Sequence, residues 1–164
     1  PNFSIVPPLL KQLFQIGLSV NSTAMLEFDE LKEKFATVGS KTEGALLQMV
    51  GAMFRKEAAA AVAAGGTVPA TNNDPNAHFY IKERAAPTSK VFSFSSLRKL
   101  SSVLMPKEDG GYRLYVKGAS EIVLSDCTTM LNQDGDVVPL DKEIKHHLVN
   151  DVITTMAKDV RCVF

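Results

Sequence analysis

KVFSFSSLRKLSSVLMPKEDGGYRLYVKG, residues 90–118, is the stretch that decides the fold class. Lys90–Ser95, Ser101–Met105 and Tyr112–Lys117 are short runs rich in β-branched and aromatic side chains, and each reads as a strand. Between the last two lies Lys107-Glu108-Asp109-Gly110-Gly111, a hairpin turn signal in which glycines supply the positive φ that such turns demand. Strands joined so briefly run antiparallel, because a parallel pair needs a crossover of about a dozen residues.

Helices gather on both sides of these strands. Upstream, Pro7-Pro8 opens a helix whose Leu9, Leu10, Leu13, Phe14 and Leu18 have helical spacing, and Asn21-Ser22-Thr23 breaks it. A second helix is predicted from Thr42 to about Ala64, with Leu46, Met49, Val50, Met53 and Phe54 in its apolar stripe and Gly65-Gly66 as the stop. Thr67–Ala77 reads as an exposed loop, His78–Lys82 as a further strand, and the wider stretch 58–87 as a flexible insertion. Downstream, a short helix opens at Ser120-Glu121, Gln133-Asp134-Gly135-Asp136 makes a turn, and Asp141 caps a long helix through about Lys158. A final strand is predicted from Val160. Regular βαβ alternation is missing, so the class is α+β, a largely antiparallel sheet flanked by helices. Without a G-x-G-x-x-G, a Rossmann domain is excluded.

The 164 residues carry 18 Lys+Arg against 18 Asp+Glu, with 45% apolar residues, the make-up of an ordinary globular domain. Zero net charge argues against a nucleic-acid binder or a bulk electrostatic membrane binder. Intrinsic disorder is excluded by the high apolar fraction. Cys127 and Cys162 read as two free thiols in a reducing compartment, since a chain this long needs no staples. No apolar run approaches the roughly 20 residues that span a bilayer, and the N-terminus has no signal-peptide pattern. A start at Pro1 and an end in the apolar run Val160–Phe164 read as a domain cut from a longer protein. The charge is segregated: Lys82–Lys117 holds eight basic and three acidic residues, and Gly118–Asp159 holds eight acidic and three basic. Such blocks are solvated faces or a wall for an anion.

Several motif matches fail. Gly39-Ser40-Lys41-Thr42 lacks the lysine directly after glycine, and Lys34 stands where a P-loop needs its first glycine. Ser96-Leu97-Arg98-Lys99 fits S-x-x-K, but its companion motifs are altered and out of order. His146 and His147 are adjacent on a helix and diverge, so they do not chelate one metal ion.

Three segments survive together: Val38–Leu47 with Lys41-Thr42-Glu43-Gly44-Ala45-Leu46-Leu47, Phe92–Lys99, and Tyr115–Glu121 with Lys117-Gly118-Ala119-Ser120-Glu121. In this order and spacing they resemble the nucleotide-binding domain of P-type cation-transporting ATPases. The likeness is strongest to plasma-membrane-type calcium pumps, where K-T-E-x-A-L-L, F-x-S-x-R-K and K-G-A-S-E-I-V-L recur. The resemblance covers Pro7 to the end and implies that residues 1–164 are one nucleotide-binding domain of a larger membrane pump, on the cytosolic face of its membrane.

Carried over residue by residue, the resemblance implies an ATP site. Phe94 would stack on adenine, a contact of roughly 1–3 kcal/mol by analogy with base stacking. In an alternating strand Phe94 also reads as core, with Phe92 the competing ring. Lys117 would enter the same pocket, and the small Gly118 and Ala119 would let backbone approach the ligand. Glu43, after Thr42, would accept from the adenine amino group, or else is a favourable charge in the first turn of its helix. Lys99, and less directly Arg98, would face the phosphates, and Arg161 would hold them with its forked donors. Ser96 stands where other branches of the family carry an arginine, which fits the plasma-membrane calcium branch and removes one phosphate contact.

The resemblance further implies that MgATP is the ligand, with Mg²⁺ brought by the nucleotide, and that the partners are the phosphorylation and actuator domains of the parent chain. The phosphorylation domain's aspartate accepts the γ-phosphoryl group and drives ion transport. The D-K-T-G-T sequence around that aspartate is absent here. The isolated chain is expected to bind ATP weakly, with little dependence on Mg²⁺, and to hydrolyse nothing. The alternatives are the same domain from a pump for another cation, and a non-catalytic interaction domain docking through the long helix and the Thr67–Ala77 loop.

Overall fold

A computed structural model describes residues 6–30, 34–65, 81, 82, 85 and 87–159. Within the span read above as one domain, the chain divides into two compact units, Pro1–Ser89 and Lys90–Phe164. Helices accompany antiparallel sheets in both, which makes the chain an α+β protein as predicted.

The first unit begins with α1 (Pro8–Val20), where Pro8 sits in the opening turn at no hydrogen-bonding cost. It is followed by β1 (Met25–Asp29), β2 (Lys34–Val38) and α2 (Lys41–Ala63). The two strands pair antiparallel from Met25↔Val38 to Asp29↔Lys34. Ser40 caps α2, its Oγ accepting from the Glu43 N–H at 3.4 Å. Along α2, Gly44, Leu47, Gly51 and Ala58 recur at helical spacing and are buried, with Val50 and Met53 beside them. Ala24, Leu26 and Leu47 cluster, so the β1 end of the hairpin lies on α2. Fully burying Leu47 and Val50 contributes about 2 kcal/mol each. Helix α1 is tied to α2 by Gln15 Nε2 donating to Glu57 Oε2 at 2.9 Å.

This unit changes three sequence expectations. The β1–β2 hairpin is additional to the predicted elements. Ala58–Ala63, where the helix predicted through about Ala64 and the insertion 58–87 overlap, are the last turns of α2, as the helix reading has it, because alanine is the best helix former and Ala58 is buried. Ile81 and Lys82, predicted as strand, are helical, and Lys82 Nζ donates to the Ser22 carbonyl at 2.6 Å. The remainder of His78–Lys82 and the whole of the Thr67–Ala77 loop lie outside the described residues.

The second unit opens with β3 (Lys90–Ser95), β4 (Leu100–Pro106) and β5 (Tyr112–Gly118), an antiparallel meander in the order β3-β4-β5. Its hairpin turn holds Gly110 at φ 91° and Gly111 at φ 76°, the left-handed region anticipated for this sequence. Val103 on the central strand is 1% exposed. Then come α3 (Ser120–Asp126) and a second hairpin, β6 (Thr129–Leu131) and β7 (Val137–Pro139). Asn132 Oδ1 closes that hairpin's turn by accepting from the Asp134 and Asp136 N–H groups at 3.0 and 2.8 Å.

The long helix predicted after Asp141 is present in three parts: α4 (Lys142–His147), a π-helical segment (Leu148–Ile153) and α5 (Thr154–Asp159). Asp141 caps it as expected, its Oδ1 accepting from the Ile144 N–H at 2.8 Å. Just past the π segment, Thr154 Oγ1 donates back to the Val149 carbonyl at 2.7 Å. Leu148, Val152 and Ile153 of that segment line, with α3, an open apolar pocket of about 140 Å³. Val160–Phe164, and with them the predicted last strand, lie outside the described residues.

Candidate nucleotide-binding site

Strand β3 carries a bulge. Phe92 pairs with Ser102 and Ser95 with Leu100, so Ser93 and Phe94 together oppose Ser101 alone. Across β4, Ser101 pairs with Lys117 of β5. The two-for-one count therefore places Phe94 in one cross-strand row with Ser101 and Lys117, two strand spacings or about 10 Å from end to end. Without the bulge, strict alternation would give Phe94 the face of Phe92, Ser102 and Val116.

The two phenylalanines are easily told apart. Phe92 is 37% exposed and has the Lys90 ammonium 5.4 Å from its ring centroid, a cation–π contact. Phe94 is 66% exposed. Core packing thus does not account for Phe94, and its flat face is accessible to a ring from outside.

Past Phe94 the chain turns through Ser96–Lys99. Lys99 N–H donates to the Ser95 carbonyl at 2.7 Å, and Arg98 donates from Nη2 to the Ser93 carbonyl at 3.0 Å. Arg98 therefore braces the turn that follows the bulge. Ser96 and Leu97 are exposed at its tip. Lys99 closes it at φ 54°, the one left-handed non-glycine residue among those described.

Gly118 ends β5 opposite Leu100. A Cβ built there would run into the Lys99 carbonyl oxygen, lie 2.5 Å from Leu100 Cδ2 and 3.2 Å from Leu100 Cα. In the direction a Cβ at 118 would take, the Lys99 turn and Leu100 of β4 fill the space. Next to it, the Ala119 N–H donates to the Lys99 carbonyl at 3.2 Å.

Thr42 and Glu43 belong to the first unit. Thr42 is exposed in the opening turn of α2. Glu43 Oε2 accepts from the Thr23 N–H and hydroxyl, both at 2.8 Å, from the Ala24 N–H at 3.0 Å and from the Ser22 hydroxyl at 3.3 Å. The residue carried over for the adenine amino group thus clamps the Ser22–Ala24 segment to the start of α2. Arg161 lies outside the described residues.

Sequence reasoning missed Ser101 as the middle of the row, although counting outward from the Lys107–Gly111 turn gives the Ser101↔Lys117 pair. It also missed Ser22 and Thr23. No local signal finds them, because their acceptor lies 21 and 20 residues away along the chain.

Residues 9–164 match the family model of the P-type ATPase cytoplasmic domain N, and the chain belongs to that family. It is 33% identical over 162 residues, 97% of its length, to plasma membrane calcium-transporting ATPase 2 of Oreochromis mossambicus. To plasma membrane calcium-transporting ATPase 4 of Bos taurus it is 34% identical over 159 residues, 93% of its length. A probable plasma membrane-type calcium-transporting ATPase 6 of Oryza sativa subsp. japonica is 39% identical over 82 residues, half of this chain and 8% of that protein. The chain spans only 13% and 11% of the first two relatives.

Proposed function

We propose that this chain is the ATP-holding domain of a calcium-transporting P-type pump, presenting MgATP so that its γ-phosphoryl group passes to an aspartate of a separate domain. The observation that carries this is the bulge in β3, which puts the exposed ring of Phe94 in one row with Lys117. Adenine stacks on Phe94, and the Lys117 ammonium flanks it on the far side of the row. The Ser96–Lys99 turn leads from that row toward the triphosphate, with Lys99 as its cation. Phosphoryl transfer asks little covalent chemistry of such a domain, and what it supplies is position and charge. Among the described residues no cluster of three or more His, Cys, Asp or Glu side chains could hold a metal ion. In this proposal Mg²⁺ arrives on the phosphates.

No helix among the described residues is long and apolar enough to cross a membrane. Calcium as the transported ion rests on the names of the relatives. The proposed partners are the phosphorylation and actuator domains of the same pump, at the cytosolic face of its membrane. A fluorescent ATP analogue tests the proposal: it binds and is displaced by ATP, with affinity changing less than threefold when Mg²⁺ is withdrawn. Failure to bind would favour a non-catalytic interaction domain.

A further inference from the structure

We propose that Gly118 is a positioning residue for Lys99, locking the turn that carries this lysine onto the end of β5. The inference rests on the nucleotide-binding reading and assigns a second task within that site. Three observations meet at one backbone carbonyl. Lys99 adopts φ 54°, a conformation that L residues avoid because Cβ crowds the following carbonyl. Its carbonyl accepts from the Ala119 N–H at 3.2 Å. The same oxygen occupies the place where a Cβ of residue 118 would stand. A side-chain tip in that place could swing aside, whereas a carbonyl moves only if the whole turn moves.

The left-handed conformation sets the direction in which the Lys99 side chain leaves the backbone. Held there, the ammonium is fixed relative to Lys117, one residue before the glycine on β5. A methyl group at 118 pushes the Lys99 carbonyl away, breaks the Ala119 bond and lets Lys99 relax to negative φ, which turns its ammonium elsewhere. Adenine stacking on Phe94, on the other strand, is left as it was.

The test compares ATP with adenosine, which lacks the phosphates, in NMR titrations of the full chain. For Gly118→Ala, ATP affinity falls about tenfold, to the level of Lys99→Ala, while adenosine affinity stays within twofold. The double variant is no weaker than either single one, because both remove the same contact. Exchange of the Ala119 amide proton accelerates in ligand-free Gly118→Ala. Equal losses for ATP and adenosine, or losses that multiply in the double variant, would overturn the role of Gly118 alone. A wild-type chain that binds neither ligand would overturn the nucleotide reading and this role together. Should Gly118→Ala not fold, Ala119→Pro makes the same test. Ala119 already has φ −62°, which proline shares; the substitution deletes the N–H that holds the Lys99 carbonyl and sets the ring Cδ against that oxygen in its place. It weakens ATP binding about threefold and leaves adenosine unchanged; an unchanged ATP affinity would refute the lock.

Discussion

Replacing Glu43 by alanine should unfold the chain more easily before it does anything to a ligand. Its Oε2 takes four hydrogen bonds, two of them from the backbone N–H groups of Thr23 and Ala24 at 2.8 and 3.0 Å. Each bond to a charged acceptor is worth about 1.5–3 kcal/mol in mutational series. Four bonds on one oxygen do not add, and the exposed Thr23 donors can turn to water. Ala24 is only 2% exposed, so its N–H is stranded when the carboxylate goes. Together with the lost favourable charge in the first turn of α2, Glu43→Ala costs about 3 kcal/mol. For a chain of this size that lowers the melting temperature by roughly 10 °C. Glu43→Gln keeps a carbonyl acceptor in place and costs about 1 kcal/mol. Urea unfolding followed by circular dichroism gives both values, and hydrogen exchange at the Thr23 and Ala24 amides locates the change. A Glu43→Ala chain within about 0.5 kcal/mol of wild type, the range of an ordinary surface substitution, would refute the clamp.

Gly44→Ala puts a methyl group into the Thr37 side chain, whose Cβ lies 2.6 Å from the built position, and destabilises by about 1–2 kcal/mol after the gain in helix propensity. Thr37→Ala in the same chain recovers at least half of that, and additivity in a double-mutant cycle would count against the contact. Asp141→Ala removes the cap on the long helix and costs about 1 kcal/mol, read as a shift of the urea midpoint. Phe94→Ala leaves stability within about 0.5 kcal/mol because the ring is 66% exposed, yet it weakens ATP binding by about 1–3 kcal/mol in calorimetry.

The parts of the fold that sequence made legible are those governed by local chemistry. The three central strands, the diglycine turn and the Asp141 cap each depend on residues within a few positions of one another. The β1–β2 hairpin was readable in principle, since Leu26 and Phe28 alternate with Glu27 and Asp29. Its signal is diluted by the charged run from Asp29 to Lys34. The three-residue strands β6 and β7 are too short to show a period, and the π-helical segment leaves the apolar stripe of its helix almost unchanged.

At the site, the motif set singles out residues but says nothing of how they pack. Strict alternation puts Phe94 on the wrong face, and only the bulge corrects it. At Gly118 the side that a Cβ would take is filled by Lys99 and Leu100, a packing that the motif does not spell out. The clamp of Glu43 on Thr23 and Ala24 joins groups some 20 residues apart, a contact that no motif encodes.

The central claim is that the row from Phe94 to Lys117, with the turn that leaves it, holds ATP. An NMR titration of the chain with ATP reads this directly. The account predicts saturable shifts that are largest at residues 94–99 and 117–119 and are strongly reduced in both Phe94→Ala and Lys117→Ala. Shifts undiminished in the two variants would contradict it.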